Sequence, residues 1–194
     1  MKITFVIQDL FQQGAEYVTA LMIRGFVAKG YEVDLLVSQK HAELLDKGDK
    51  PFDVPVSVRT LIMPAKKARQ NVFYLRKYIK YTDAVVMIAM GPTYLLALTL
   101  AVLGLKKRVR LAYVEHGGLG PEQRDINDVV IPSFFSRDWI MAKLVAKSID
   151  CFMAVSNGSA RVLEKKLLLK SNTVITVYNP VIDDSYRTKI VCDT

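Results

Sequence analysis

Apolar and polar positions fall along the chain in blocks of two kinds. Short, nearly continuous apolar runs at Ile3–Ile7, Val33–Val37, Val56–Ile62, Ala84–Ile88, Val109–Val114, Phe152–Val155 and Val174–Val177 read as strands buried on both faces. Most gaps between them carry a helical period. In the first gap Ala15, Val18, Met22 and Phe26 recur at steps of three and four residues, which sets one apolar stripe against a sheet. Gly30 then stands where a left-handed residue closes the helix. The longest apolar run, Tyr94 to Leu105, contains Thr99 and Gly104 and is too short to span a bilayer, so it predicts a helix buried inside the domain. Strands separated by helices imply right-handed crossovers and a parallel sheet of about seven strands with helices on both faces. The expected fold is a Rossmann-like α/β domain.

The least regular stretch is Gly117–Ser136, which holds Pro121 and Pro132. A loop of that length inside a compact domain is more often functional than passive. At its end Phe134 and Phe135, just before a helix that begins near Arg137, either pack on the sheet or meet a substrate or a membrane, the first being the commoner arrangement. A length of 194 residues suits one well-buried domain. The charge changes the picture more: 27 basic against 19 acidic residues give a formal +8, a balance that favours anionic partners without choosing among nucleic acid, acidic lipid and phosphorylated small molecules. Two cysteines, Cys151 and Cys192, make neither a disulfide framework nor a metal pattern, which points to a reducing compartment. Met1-Lys2 leads directly into the first strand, so no signal peptide is expected. The expectation is a cytoplasmic protein, soluble or peripheral at the inner face of the membrane.

Two polar turns carry the candidate chemistry. The first strand runs out into Gln13-Gly14-Ala15-Glu16, and the strand Val109–Val114 into Glu115-His116-Gly117-Gly118. In an open parallel sheet, ligands bind beyond the carboxyl ends of the strands. Gly14 lets a ligand approach its backbone at a helix start, where free amides and the helix dipole favour an anion. The glycine spacing of a dinucleotide fingerprint is absent, and Ser38-Gln39 occupy the place of its acidic residue, so no nicotinamide cofactor is expected. His116 should stand at the sheet's carboxyl edge, where imidazole suits contact with a sugar hydroxyl or a phosphate, with Glu115 placed to orient it. A hydrogen-bonded structural histidine would give the same pattern. His41, flanked by lysine, reads as a surface residue, and two histidines so far apart make no metal site. Ser156-Asn157-Gly158-Ser159 lacks the nucleophile-elbow pattern and reads as a strand end followed by a helix N-cap.

One helix is strongly basic. From Lys66 to Tyr81, Ala68, Val72, Leu75 and Ile79 form the core stripe, while Lys66, Arg69, Arg76, Lys77 and Lys80 gather on a neighbouring face around Phe73. Cations interleaved with an aromatic ring suit an anionic membrane or an anionic acceptor. A solvated helix face has the same pattern. No nucleic-acid-binding motif accompanies the charge, and no nucleic-acid partner is expected.

These segments together resemble a known family. Gln13-Gly14-Ala15-Glu16-Tyr17-Val18 through Gly30-Tyr31-Glu32-Val33 is similar to the Gly-Gly-Ala-Glu opening of family 4 glycosyltransferases, which are retaining enzymes of the GT-B fold. Val114-Glu115-His116-Gly117 resembles the family's strand-end histidine. Ser148-Ile149-Asp150-Cys151-Phe152-Met153-Ala154-Val155-Ser156 resembles its Ala-Asp-X-Val-X-Ala-Val-Ser segment, and Val177-Tyr178-Asn179-Pro180-Val181-Ile182-Asp183 the Asn-Pro-Val-Asp that closes its first domain. The four segments stand in the family's order over nearly the whole chain.

The resemblance implies that residues 1–183 form the N-terminal, acceptor-side half of a GT-B fold, with 184–194 the start of an interdomain linker or a tail. It implies a sugar transferred from a nucleotide-sugar to a cell-surface glycan or lipid-linked acceptor. His116 would touch the transferred sugar, and Gly14 with its neighbours Gln13, Glu115 and Gly117 would meet donor phosphate or acceptor. Gln13 departs from the family's first glycine. The paired glutamates of the donor-binding domain are not found in the sequence, so the chain alone is expected to be inactive. The alternative is a non-catalytic Rossmann-like binding domain that pairs with a separate donor-domain chain.

Overall fold

The computed structural model describes residues 1–11, 14–106, 109–116 and 136–179. Strands β1 (Lys2–Val6), β2 (Glu32–Val37), β3 (Arg59–Ile62), β4 (Val86–Met90), β5 (Arg110–Glu115), β6 (Cys151–Ala154) and β7 (Ile175–Thr176) alternate with helices α1 (Gly14–Ala28), α2 (Gln39–Asp46), α3 (Val72–Tyr81), α4 (Pro92–Val102), α5 (Arg137–Ser148) and α6 (Asn157–Leu167). The strands form one sheet in the order β3-β2-β1-β4-β5-β6-β7. Every neighbouring pair is parallel.

The two-residue period of the strands divides the interior into two cores. Val6, Leu36, Met87, Ala89, Leu111 and Tyr113 point to one side, where Leu75 and Ile79 of α3, the apolar α4, and Leu163 of α6 cover them. Phe5, Leu35, Val37, Ile88 and Val114 point to the other side, where Ile23 of α1 packs with Met22 and Phe26. Helices therefore lie on both faces, as the apolar periods predict. Gly30 closes α1 at φ +79°, and Ser156 caps α6 by accepting from the Ser159 amide at 3.1 Å.

A carboxylate on β2 is buried beside the first core. Asp34 on β2 accepts from Arg59 Nη2 at 2.5 Å and from the Tyr78 hydroxyl at 2.6 Å. Burial alone would raise this carboxyl, but Arg59 and Tyr78 hold it below its usual value. The network joins β2, β3 and α3.

Three local expectations are corrected. The third strand starts at Arg59 rather than Val56, which is fully exposed, because Val58 N bonds back to Pro55 O at 2.9 Å and turns the chain first. The basic segment is not one helix: a 3-10 turn at Ala68–Asn71 precedes α3. His41 is buried, 5% exposed, with its ring 5.0 Å from that of Phe11. Lys40 beside it in sequence suggests a surface position, but His41, the third residue of α2, faces inward. The loop 117–135 and Cys192 lie outside the described residues.

Candidate functional site

The strand order reverses between β1 and β4, since β2 and β3 continue from one side of β1 and β4 to β7 from the other. Outside the carboxyl ends at this switch point lies a cleft of about 890 Å³. Its walls come from the segments after β1, β4 and β5, from α1 and α2, and from Asn179.

The helix starts explain the floor. α1 begins at Gly14, and a side-chain carbon added there would meet no atom of the described residues within 4 Å, so the backbone faces the cleft. α4 begins at Pro92, whose fixed φ suits a first helical turn. The preceding Gly91 adopts φ +90°, a conformation that penalises a β-carbon, and no side chain of the described residues caps the helix. Two helix N-termini thus open onto one cleft. An apolar strand running out into Gly91-Pro92 has the same signature as the Gly14 turn, and sequence reasoning passed over it.

His116 follows β5 directly and lines the cleft. Both ring nitrogens are buried and have no hydrogen-bond partner among the described residues. Burial holds its pKa below the usual 6.5, so the ring is neutral at pH 7, with one N–H to donate and one nitrogen to accept. Glu115 does not orient it. Its Oε2 accepts from the Tyr113 hydroxyl at 2.5 Å, two residues back on the same side of the strand. Burial, then the adjacent Glu115, push the Tyr113 phenol far above its usual range.

The other half of the cleft is polar and acidic. Asp9, 5% exposed, takes the Phe11 amide at 3.2 Å and Lys40 Nζ at 2.9 Å. Glu16 in the first turn of α1 has a buried Oε2 without a partner among the described residues. Burial pushes its carboxyl up, and nearby Asp9 adds to this. Asp49 follows α2 on the same wall. Asp9 and Lys40 lie 31 residues apart in sequence, so only the parallel pairing of β1 with β2 brings them together.

The sequence-predicted residues therefore separate. His116, Gly14 and Glu115 share the cleft; Gln13 and Gly117 fall outside the described residues. Lys66, Arg69, Phe73, Arg76, Lys77 and Lys80 line none of it. Lys66 pairs with Glu43 at 2.7 Å. Arg76 leaves the basic face altogether, because its Nη1 donates to the Ala101 and Leu103 carbonyls at 3.0 and 2.6 Å and closes the end of α4. Phe73 is 83% exposed. Among the described residues no group of histidine, cysteine and acidic side chains could hold a metal ion, and no helix is long and apolar enough to cross a membrane.

Residues 13–185 match glycosyltransferase family 4. The chain belongs to that family. No curated protein matches it in sequence. Among solved structures, this family 4 chain is similar to the lipopolysaccharide outer core galactosyltransferase WaaB in its apo form, with a TM-score of 0.59 and 15% identity over 93% of this chain and 46% of that one. A glycosyltransferase from Rickettsia africae gives 0.57 at 12% identity, over 99% of this chain and 48% of that one. An alpha-glucosyltransferase solved with UDP and a 13-mer DNA gives 0.52 at 12% identity, over 93% and 43%. These likenesses are of fold, and they identify the described sheet as the Rossmann-like N-terminal half of a GT-B glycosyltransferase. The family 4 chain spans less than half the length of each of these structures.

Proposed function

We propose that the cleft is the acceptor-side wall of a sugar-transfer site, with His116 contacting the transferred sugar near the reacting centre. The observation that carries this reading is the neutral His116 imidazole, whose two buried nitrogens have no partner among the described residues and border a cleft at the switch point. One sugar hydroxyl can accept from the protonated nitrogen while another donates to the bare one. Gly14 and the adjoining amides, with Gln13 and Gly117, approach the donor pyrophosphate or the acceptor. Most of the nucleotide is held by the second half of a GT-B fold, so residues 1–183 by themselves have little donor affinity and do not turn over. The donor is a nucleotide-sugar, and the alpha-glucosyltransferase solved with UDP supports that class. The acceptor is a cell-surface glycan or lipid-linked acceptor, and the donor's sugar is transferred to it with retention at the inner face of the membrane.

A membrane role for α3 has its own support. Phe73 and Tyr81 are 83% and 71% exposed on a segment where residues 66–81 contain six cations and no acid. The experiment for the central reading is sugar transfer by a polypeptide joining this half to a donor-binding half, with and without His116→Ala.

A further inference from the structure

Charge is partitioned within the cleft itself. On the side of β4 and β5 the wall is built from Gly91, Pro92, Thr93 and His116 beside the start of α4, and its one carboxylate, Glu115, is 3% exposed and already taken by the Tyr113 hydroxyl. On the side of β1 and β2 it carries Asp9, Glu16 and Asp49 against a single cation, Lys40. Lys40 is already engaged by Asp9 at 2.9 Å. Among the described residues, carboxyl groups therefore outnumber cations in this half, in a protein whose formal charge is +8. The cations stand elsewhere, most densely on residues 66–80, which line none of the cleft.

Two further features fit a sugar here. Glu16 Oε2 is buried and unpartnered among the described residues, an acceptor held ready for a hydroxyl donor. Tyr17, its ring 5.3 Å from Phe52, gives an aromatic wall against which the C–H face of a pyranose can lie.

From this partition we infer that the acceptor sugar seated between α1 and α2 is an uncharged, hydroxyl-bearing ring, and that this half of the cleft rejects phosphorylated or carboxylated sugars. The inference rests on the acceptor-side reading and adds its chemical class. A phosphate placed here would face Glu16 and Asp49 with only a paired lysine to answer it, and like charges in a half-buried site are unfavourable. Glu16 instead accepts from a sugar hydroxyl. The donor's diphosphate is not excluded, because it belongs to the other half, near the α4 amides.

The test uses the 194-residue chain and NMR titration, reading the Gly14 and Glu16 amides and the His116 ring. The probes are methyl glycosides of glucose, galactose and mannose and the 6-phosphates of the same glycosides. The neutral glycosides are expected to bind, each about tenfold or more tightly than its 6-phosphate. In the Glu16→Gln, Asp49→Asn double variant the 6-phosphates gain and the neutral glycosides do not, so the difference shrinks. Equal or tighter binding of the 6-phosphates by the unaltered chain overturns the inference while leaving a sugar site in place. Perturbation of the cleft by no sugar of either kind, at tens of millimolar, overturns both the inference and the acceptor-side reading beneath it.

Discussion

The Tyr113 hydroxyl donates to Glu115 Oε2 at 2.5 Å, and that bond takes the carboxylate next to His116 away from the imidazole. Glu115 is 3% exposed, so removing its donor leaves a buried acceptor short of a partner. Tyr113→Phe is expected to lower unfolding stability by about 2 kcal/mol in denaturant titrations. Glu115→Gln should leave the ring nitrogen shifts of His116 unchanged. A tautomer change at His116 in that variant would return Glu115 to the orienting role.

Both histidines shape the response to acid. Burial lowers the pKa of His41 and of His116 below 6.5. The folded protein therefore keeps both rings neutral where the unfolded chain has begun to charge them, and the unfolded state binds more protons in that window. Stability is fully present above 6.5 and falls as the pH drops towards the lower folded values. His41→Gln and His116→Gln should each flatten this acid limb when urea unfolding is compared at about pH 7 and about pH 5.5.

Gly14 separates binding from folding. A methyl there meets only open cleft, and the backbone is not left-handed, so Gly14→Ala should keep stability within about 1 kcal/mol of the parent. The same variant should weaken the donor or acceptor held at the α1 amides, read as a raised KM in the joined enzyme. Gly91→Ala has the opposite profile: at φ +90° it should cost about 1–2 kcal/mol of stability.

The basic segment divides into groups with different expected phenotypes. Phe73→Ala with Lys77→Ala and Lys80→Ala should reduce sedimentation with anionic vesicles, and added salt should do the same to the parent. Arg76→Ala should spare vesicle binding and lower the thermal midpoint, because Arg76 holds the last carbonyls of α4. Equal vesicle binding by the parent and the triple variant would make the face merely solvated.

The seven strands were legible because apolar runs such as Phe5 with its neighbours, or Leu111 to Val114, are buried on both faces and separated by helical periods. His116 and Gly14 were legible as short turns after such strands. Asp9 and Lys40 were not, since their pairing depends on α2 starting beside the end of β1, a relation that no local spacing encodes. His41 failed for a related reason: its neighbours in sequence are polar, but its contact is Phe11, 30 residues earlier. Arg76 reads as one more surface cation until the end of α4 is seen to need it.

The most direct measurement is kcat for sugar transfer by this half joined to a donor-binding half, with His116→Ala beside the parent. Loss of a polar group that meets the substrate only near its reacting centre predicts a fall in kcat of about a hundredfold or more, with an unchanged fold by circular dichroism. Turnover within a few-fold of the parent would contradict the placement of His116 at the reacting sugar.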